Sequence, residues 1–294
     1  SVRGLREEQR RLASESDQRP GAGEPISGLV RATRKATELA QRLGVDLSLV
    51  PAKGIIKESD IVRYQDGEPA REVMAPHKLS WDPDRRPVAI YGAGKGAVTL
   101  KECLDLDRQC QVVCFVDDSA NHPEALCGLP VHHISHLSGI VDRGVRSLAC
   151  EIAQGSVRLR ILKQCDELGI DLINAIHPNA FVSPSAQMGR GNYIKAGAIV
   201  ETGALVGDCC IIDNGAMIAH DSVLGDGCHI APGASLGSSV RIGELAIIGI
   251  GASVATGVRI GRSAIVSVGS SVVKDVRDNA VVDGVPGRVI GRRA

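Results

Sequence analysis

Between residues 182 and 276 an aliphatic side chain returns every six residues without a break, from Val182, Met188 and Ile194 through Ile260, Val266 and Val272. Four residues after most of these comes a small side chain, as at Ala198, Ala204, Cys210, Ala216 and Ala234; Asn192 is the polar exception. Glycine often follows directly, as in Val206-Gly207, Leu224-Gly225 and Ile242-Gly243. A strict six does not fit the 3.6 of an amphipathic helix. It is the mark of a solenoid. Each unit reads as one side of a triangular coil. The aliphatic residue fills the interior, the small residue sits near a corner, and glycine permits the tight turn. Three units close a coil, and coils stack about 4.8 Å apart. Only 2% of residues are aromatic while glycines number 34, so the core has to pack with small and β-branched side chains.

Upstream the pattern changes. Residues 87–92, PVAIYG, read as a buried strand that runs into Gly92-Ala93-Gly94-Lys95-Gly96-Ala97 and a helix to about Asp107. Further strands are expected at QVVCFVDD (111–118), SLACEIA (147–153) and DLINAI (171–176), with a helix over 157–169. Alternating β and α units predict a small parallel sheet. Glycines between a strand and a helix stand where backbone N–H groups can hold phosphates. Asp117 and Asp118 lie at the distance where an acid reads a ribose hydroxyl.

A small Rossmann-like domain, then IHPNAFVSPSAQMG (176–189), hexapeptide repeats and VVDGVPGRVIG (281–291) together resemble the nucleotide-sugar N-acetyltransferases and sialic-acid O-acetyltransferases of bacterial glycan pathways. The resemblance implies a left-handed parallel β-helix that is trimeric and binds acetyl-CoA, and a first domain that binds a UDP- or GDP-linked amino sugar. By position it implies Gly94, Lys95 and Gly96 as the phosphate and sugar loop, with Asp117 and Asp118 as its acids. The family loop carries His where this chain has Gly96, and Gly where it has Ala153. His220 matches the catalytic base and Asp221 the acid that follows it. His229 matches a second imidazole beside the acetyl-CoA thioester. Ile250 and Val268 match cofactor contacts in the groove between two prisms. The chemistry suits these residues: an amine attacking a thioester sheds a proton, and a base with pKa near 7 takes it. Neighbouring side chains in a strand point apart, so a His220–Asp221 pair requires a bent corner. The same histidine would also support O-acetylation of a sugar hydroxyl.

Cys209, Cys210 and Cys228 occupy repeat positions that want small residues and read as packing. HHISH (132–136) reads as a strand-to-loop segment, and His220 and His229 lack the spacing of a β-helical zinc site, so no metal is expected. Arg288, Arg292 and Arg293 read as solvated tail charge.

The N-terminal part is of another kind. Residues 1–25 read as a disordered arm. Residues 26–64 hold a helix, Ala32–Leu43, stopping at Gly44, a short turn, and a second helix in IIKESDIVRY. The Ala-Thr start, LAQRLGVDLSLV and IKESDI resemble the peripheral subunit-binding domain of 2-oxo-acid dehydrogenase acyltransferases, which implies a protein partner. A non-catalytic trimeric scaffold recruiting that partner is the alternative to an enzyme. Residues 65–86 read as a linker, 87–176 as the Rossmann-like domain and 177–294 as the β-helix.

Lys+Arg and Asp+Glu both number 34, so no basic field argues for nucleic acid or a membrane surface. No apolar run is long enough to span a bilayer and no signal peptide is evident. Nine cysteines without a CxxC pair suit a reduced cytoplasm. The first residue is Ser rather than Met, so the native start is not fixed.

Overall fold

The six-residue period becomes the side of a triangular prism. The computed structural model describes residues 32–43, 45, 47, 50, 56–58, 61–62, 79–119 and 121–293. The expected arm over residues 1–25 lies outside them. Residues 1–74 and 75–294 form separate units.

In the larger unit, side one of the prism stacks Ala175–Ile176, Tyr193–Ile194, Ile211–Ile212, His229–Ile230, Ile247–Ile248 and Ile265–Val266 in parallel register, and then Ala280–Asp283. Side two runs from Phe181–Val182 through Met217–Ile218 to Ser271–Val272, and side three from Gln187–Met188 through Val223–Leu224 to Arg259–Ile260. Partners in successive coils are 18 residues apart, as in Ile199 with Met217. The second residue of each two-residue strand points inward: Ile194, Val200, Ile212, Ile218, Ile230 and Leu236 are 0% exposed, as are Ala198, Ala204, Cys210 and Ala216 near the corners. These are the residues that the period selects. The result is three stacked parallel sheets, the arrangement of a left-handed β-helix.

Corners repeat with equal regularity. Every sixth residue from 191 to 269 has φ between +53° and +74°. Most are glycine, for which this left-handed region costs nothing. Cys209, Asp221, Ser239, Leu245 and Ser263 adopt it despite a Cβ.

Before the prism comes a sheet of β1 (Arg86–Tyr91), β2 (Cys110–Asp117), β3 (Ala125–Leu126), β4 (Leu129–His133), β5 (Ser147–Cys150) and β6 (Asp171–Leu172). Its order is β3-β4-β2-β1-β5-β6, parallel except for β3. The segment DLINAI divides: β6 closes this sheet, while Ala175–Ile176 opens side one of the prism. Asn174 makes the break, donating from its amide to Gly189 O at 2.8 Å and accepting Asn192 N–H at 2.8 Å. HHISH is the end of β4 and a short 3₁₀ turn that leads into α3 (Leu137–Asp142). Leu79 and Trp81, inside the expected linker, are partly buried against the α/β core.

Helix α4 (Gly155–Leu168) fixes the sheet to the prism. Its Arg158 is 0% exposed. All five guanidinium N–H groups donate to carbonyl oxygens, those of Ile152, Ala153, Cys209, Gly227 and Cys228, at 2.6–3.1 Å. Five donors meet five acceptors with no carboxylate involved. Gly155 lies so close to the coil that an added Cβ would overlap Gly227 O.

In the smaller unit, α1 (Arg34–Leu43) begins on Thr33, whose hydroxyl accepts Ala36 N–H at 3.2 Å as an N-cap. Ala36, Ala40, Val50, Ile56 and Ile61 form its buried cluster, and Ala32 pairs with Ile56. No helix among the described residues is long and apolar enough to cross a membrane.

Candidate active site

His220 and Asp221 form the turn between sides two and three. Asp221 is one of the left-handed corner residues, φ +58°. That conformation turns two adjacent side chains toward each other. His220 Nδ1 lies 2.9 Å from Asp221 Oδ2, so the bent corner that the pairing requires is present. With Nδ1–H donated to the carboxylate, Nε2 keeps its lone pair. The coil below contributes Glu201, whose Oε2 accepts His220 N–H at 2.9 Å. Both side chains of the pair are more than half exposed in the single chain.

His229 stands on side one, outward from Ile230. Its Nε2 lies 3.3 Å from Asp213 Oδ2. Burial alone would raise the Asp213 carboxyl; hydrogen bonds from His229 and Asn214 N–H, with the charge of Lys195, outweigh it and hold the acid below its ordinary value. Lys195 Nζ lies 3.3 Å from Asp213 Oδ1 and 2.6 Å from Glu151 Oε1. Ile250 and Val268 are 53% and 68% exposed. They stack at the corner between sides one and two, where Gly269 N–H donates to Ile250 O. Asp213 and Asn214 occupy the same corner two coils and more below.

Within one chain, therefore, His220 and Asp221 stand at one corner while His229, Ile250 and Val268 group around another. The two imidazoles share no partner: His220 meets Asp221 and Glu201, and His229 meets Asp213.

At the sheet, the chain moves from β1 to β2 and β4 on one side and to β5 and β6 on the other. The carboxyl ends of β1 and β5 thus flank a topological switch point, where open α/β sheets bind ligands. Gly92-Ala93-Gly94 follows β1, and Gly94 and Lys95 are exposed at the start of α2 (Lys95–Leu106). Asp117 is held within this loop system: Oδ2 accepts Ala93 N–H at 2.7 Å and Oδ1 accepts Ser119 N–H at 2.8 Å. Asp118 is the freer acid, 3.6 Å from Arg160. Burial, then a hydrogen bond with Asp118, push the Tyr91 hydroxyl up to about 12. Glu151 follows β5 on the other flank, its Oε2 2.8 Å from Thr99 Oγ1.

Buried thiols offer no nucleophile. Burial pushes Cys150 and Cys209 up to about 12, and Cys210 is raised by its hydrogen bond with Cys228 and by burial. Among the described residues no group of three or more His, Cys, Asp or Glu could hold a metal ion.

Sequence reasoning missed Glu201, Asp213, Lys195 and Glu151. Asp213 lies 18 residues after Lys195, one coil, and that spacing was a usable signal. Glu151 carried none, because it reaches the prism from another domain.

Residues 203–238 match the family described as Bacterial transferase hexapeptide (six repeats). No curated protein sequence matches the chain. Among solved structures, perosamine N-acetyltransferase of Caulobacter crescentus, seen with CoA and GDP-perosamine, is 34% identical with a TM-score of 0.68, over 72% of this chain and 99% of that one. The acetyltransferase domain of PglB from Neisseria gonorrhoeae, seen with acetyl coenzyme A, is 30% identical with a TM-score of 0.66, over 70% and 100%. WeeI of Acinetobacter baumannii, 24% identical with a TM-score of 0.60 over 69% and 99%, agrees in fold. An α/β domain joined to a hexapeptide prism, at this identity and over the whole of those chains, places the protein in the family of acetyl-CoA-dependent, hexapeptide-repeat sugar N-acetyltransferases.

Proposed function

We propose that the protein transfers an acetyl group from acetyl-CoA to the amino group of a nucleotide-linked 4-amino sugar, with His220 as general base. The observation that carries this reading is the His220–Asp221 pair at 2.9 Å on a left-handed corner. Asp221 orients the ring and stabilises its cation, which leaves Nε2 to take the amine proton. The C–N bond forms as the C–S bond of the thioester breaks, and the departing thiolate takes up a proton. Such base assistance contributes roughly 10²–10⁴-fold. His229 lies beside the thioester, and Ile250 and Val268 line the path of the cofactor. Gly94, Lys95 and Gly96 present a helix N-terminus to the diphosphate, and Asp118 reads a sugar hydroxyl near the anchored Asp117.

The acting unit in this reading is a homotrimer. His220 and the His229 group stand at different corners of one prism, so a site that uses both draws them from two chains. A ring of three provides that: each contact is heterologous, and one corner of a chain faces a different corner of the next. The apolar outward residues of side two between those corners, Phe181, Ile199 and Met217, are exposed in the single chain and suit such a contact. The smaller N-terminal unit serves a protein partner.

The test is release of free CoA from acetyl-CoA, read with a thiol reagent, with GDP- and UDP-linked 4-amino sugars. His220→Ala lowers kcat by about 10²–10⁴-fold. Equal rates in both proteins would remove His220 from the reaction. No release with any amino sugar or sugar alcohol from a folded oligomer would leave the scaffold reading in its place.

A further inference from the structure

Glu151, Lys195, Asp213 and His229 form a continuous chain of charge from the crevice of the α/β sheet to the imidazole on the prism. The links are 2.6 Å from Glu151 to Lys195, 3.3 Å from Lys195 to Asp213 and 3.3 Å from Asp213 to His229. The side chains are 11%, 14%, 11% and 22% exposed in that order, so solvent screens them little. Lys195 also lies 5.1 Å from the centre of the Tyr193 ring, and Tyr193 donates its hydroxyl to Thr99 O at 3.2 Å. Among the described residues Lys195 is thus the one cation in contact with both acids.

The crevice end is specific. Thr99 Oγ1 lies 2.8 Å from both Gly96 O and Glu151 Oε2, and its single hydrogen serves one of them at a time. A Cβ at Gly96 would come within 3.1 Å of Glu151 Cδ, so the bare backbone there makes room for the carboxylate. An acid beside a phosphate-binding turn would repel a diphosphate unless a cation neutralised it. At the prism end, Asp213 accepts from His229 Nε2–H. That fixes the neutral ring in the tautomer whose Nδ1 is the acceptor.

We infer that Lys195 is a positioning residue coupling the two halves of the site, neutralising Glu151 beside the sugar loop while holding Asp213 aligned on His229. The substrate half of the inference rests on the nucleotide-sugar reading above; the tautomer half does not.

The test uses the full-length protein as wild type, Lys195→Met, Lys195→Gln, Lys195→Arg and the double variant Glu151→Gln/Lys195→Met. Lys195→Met raises the KM for the GDP- or UDP-linked 4-amino sugar by about tenfold, the cost of a bare carboxylate beside the diphosphate. It also lowers kcat by about 10–100-fold through misplacement of His229. The double variant brings KM back toward the wild-type value and leaves kcat low, while Lys195→Arg recovers both in large part. A purely structural lysine would not produce that split. Side-chain ¹⁵N spectra, taken where imidazoles are neutral and assigned with His229→Gln, show the Nε2–H tautomer for His229 in wild type and a mixture in Lys195→Met. The signals of His220, at the other corner, stay in place. Lys195→Gln, whose side chain is uncharged and one atom shorter, gives the same tautomer answer if Lys195→Met does not fold. An unchanged His229 tautomer in these variants overturns the inference whether or not turnover is found. Wild-type protein that turns over none of the amino sugars, with the tautomer response intact, would instead remove the proposed substrate and leave the positioning role standing.

Discussion

Asp221 is costly to the fold, and in the proposed reaction it is the partner that orients the base. Its left-handed φ of +58° carries a penalty of about 1–2 kcal/mol for a residue with a Cβ, and Asp tolerates the region better than most. The corner positions six residues before and after, Gly215 and Gly227, show what the fold alone prefers. Asp221→Gly therefore removes strain and adds about 0.5–1 kcal/mol of chain entropy, and the two terms nearly offset. We expect a urea midpoint equal to wild type or slightly higher, together with a kcat at least about tenfold lower because the imidazole loses its partner. A clear loss of stability would show that the corner depends on the carboxylate itself. The signal lies in the sequence, since Asp221 falls at a spacing of six from Gly215 and Gly227, but the left-handed register runs two residues past Gly207, Gly225 and Gly243, the glycines that the repeat first suggests for the turn. The His220–Asp221 pair was visible as two letters, while the geometry that joins them lay in the repeat around it. The partner of His229 was not legible. Nothing beside it in the chain is acidic, and Asp213 meets it only because coils stack.

At the scale of elements, the repeat announced the prism almost completely, since each inward residue is selected by the same six-residue count. The α/β sheet was read in its main strands for the ordinary reason that buried strands and glycine turns have local signatures. The division of DLINAI between two sheets was not, because apolar patterning does not say which neighbour a strand will join. Nor was Arg158, which looks on paper like any helical arginine. Its five bonds to carbonyls make α4 the bolt between sheet and prism. Arg158→Met leaves those carbonyls without their donors, and the loss should be about 3–5 kcal/mol by urea unfolding. Arg158→Lys should recover little, because an ammonium has three donors and no planar fork. A midpoint within error of wild type in both variants would mean that water replaces the guanidinium at no cost.

For the whole molecule, the separation of His220 from the His229 group makes one expectation sharp. Chains carrying His220→Ala and chains carrying His229→Ala are each nearly inactive alone. Co-expressed in equal amounts, they assemble rings in which about a quarter of the contacts pair an intact His220 with an intact His229. Recovery of roughly a quarter of wild-type turnover in the whole co-expressed population, or about a third once unmixed rings are removed, is the expected result. Mixed oligomers no more active than their parents would place both imidazoles in service to one chain.

The eighteen-residue coil also limits how such a protein can grow. Adding six residues would leave the interior satisfied, yet every later side chain would rotate onto the next face, carrying Ile250 and Val268 away from the edge they share with Asn214. Only a whole turn can be added without displacing what lies above it. Growth of this architecture therefore comes in steps of one storey, and in the proposed trimer the chemistry stays tied to the storeys that face a neighbour.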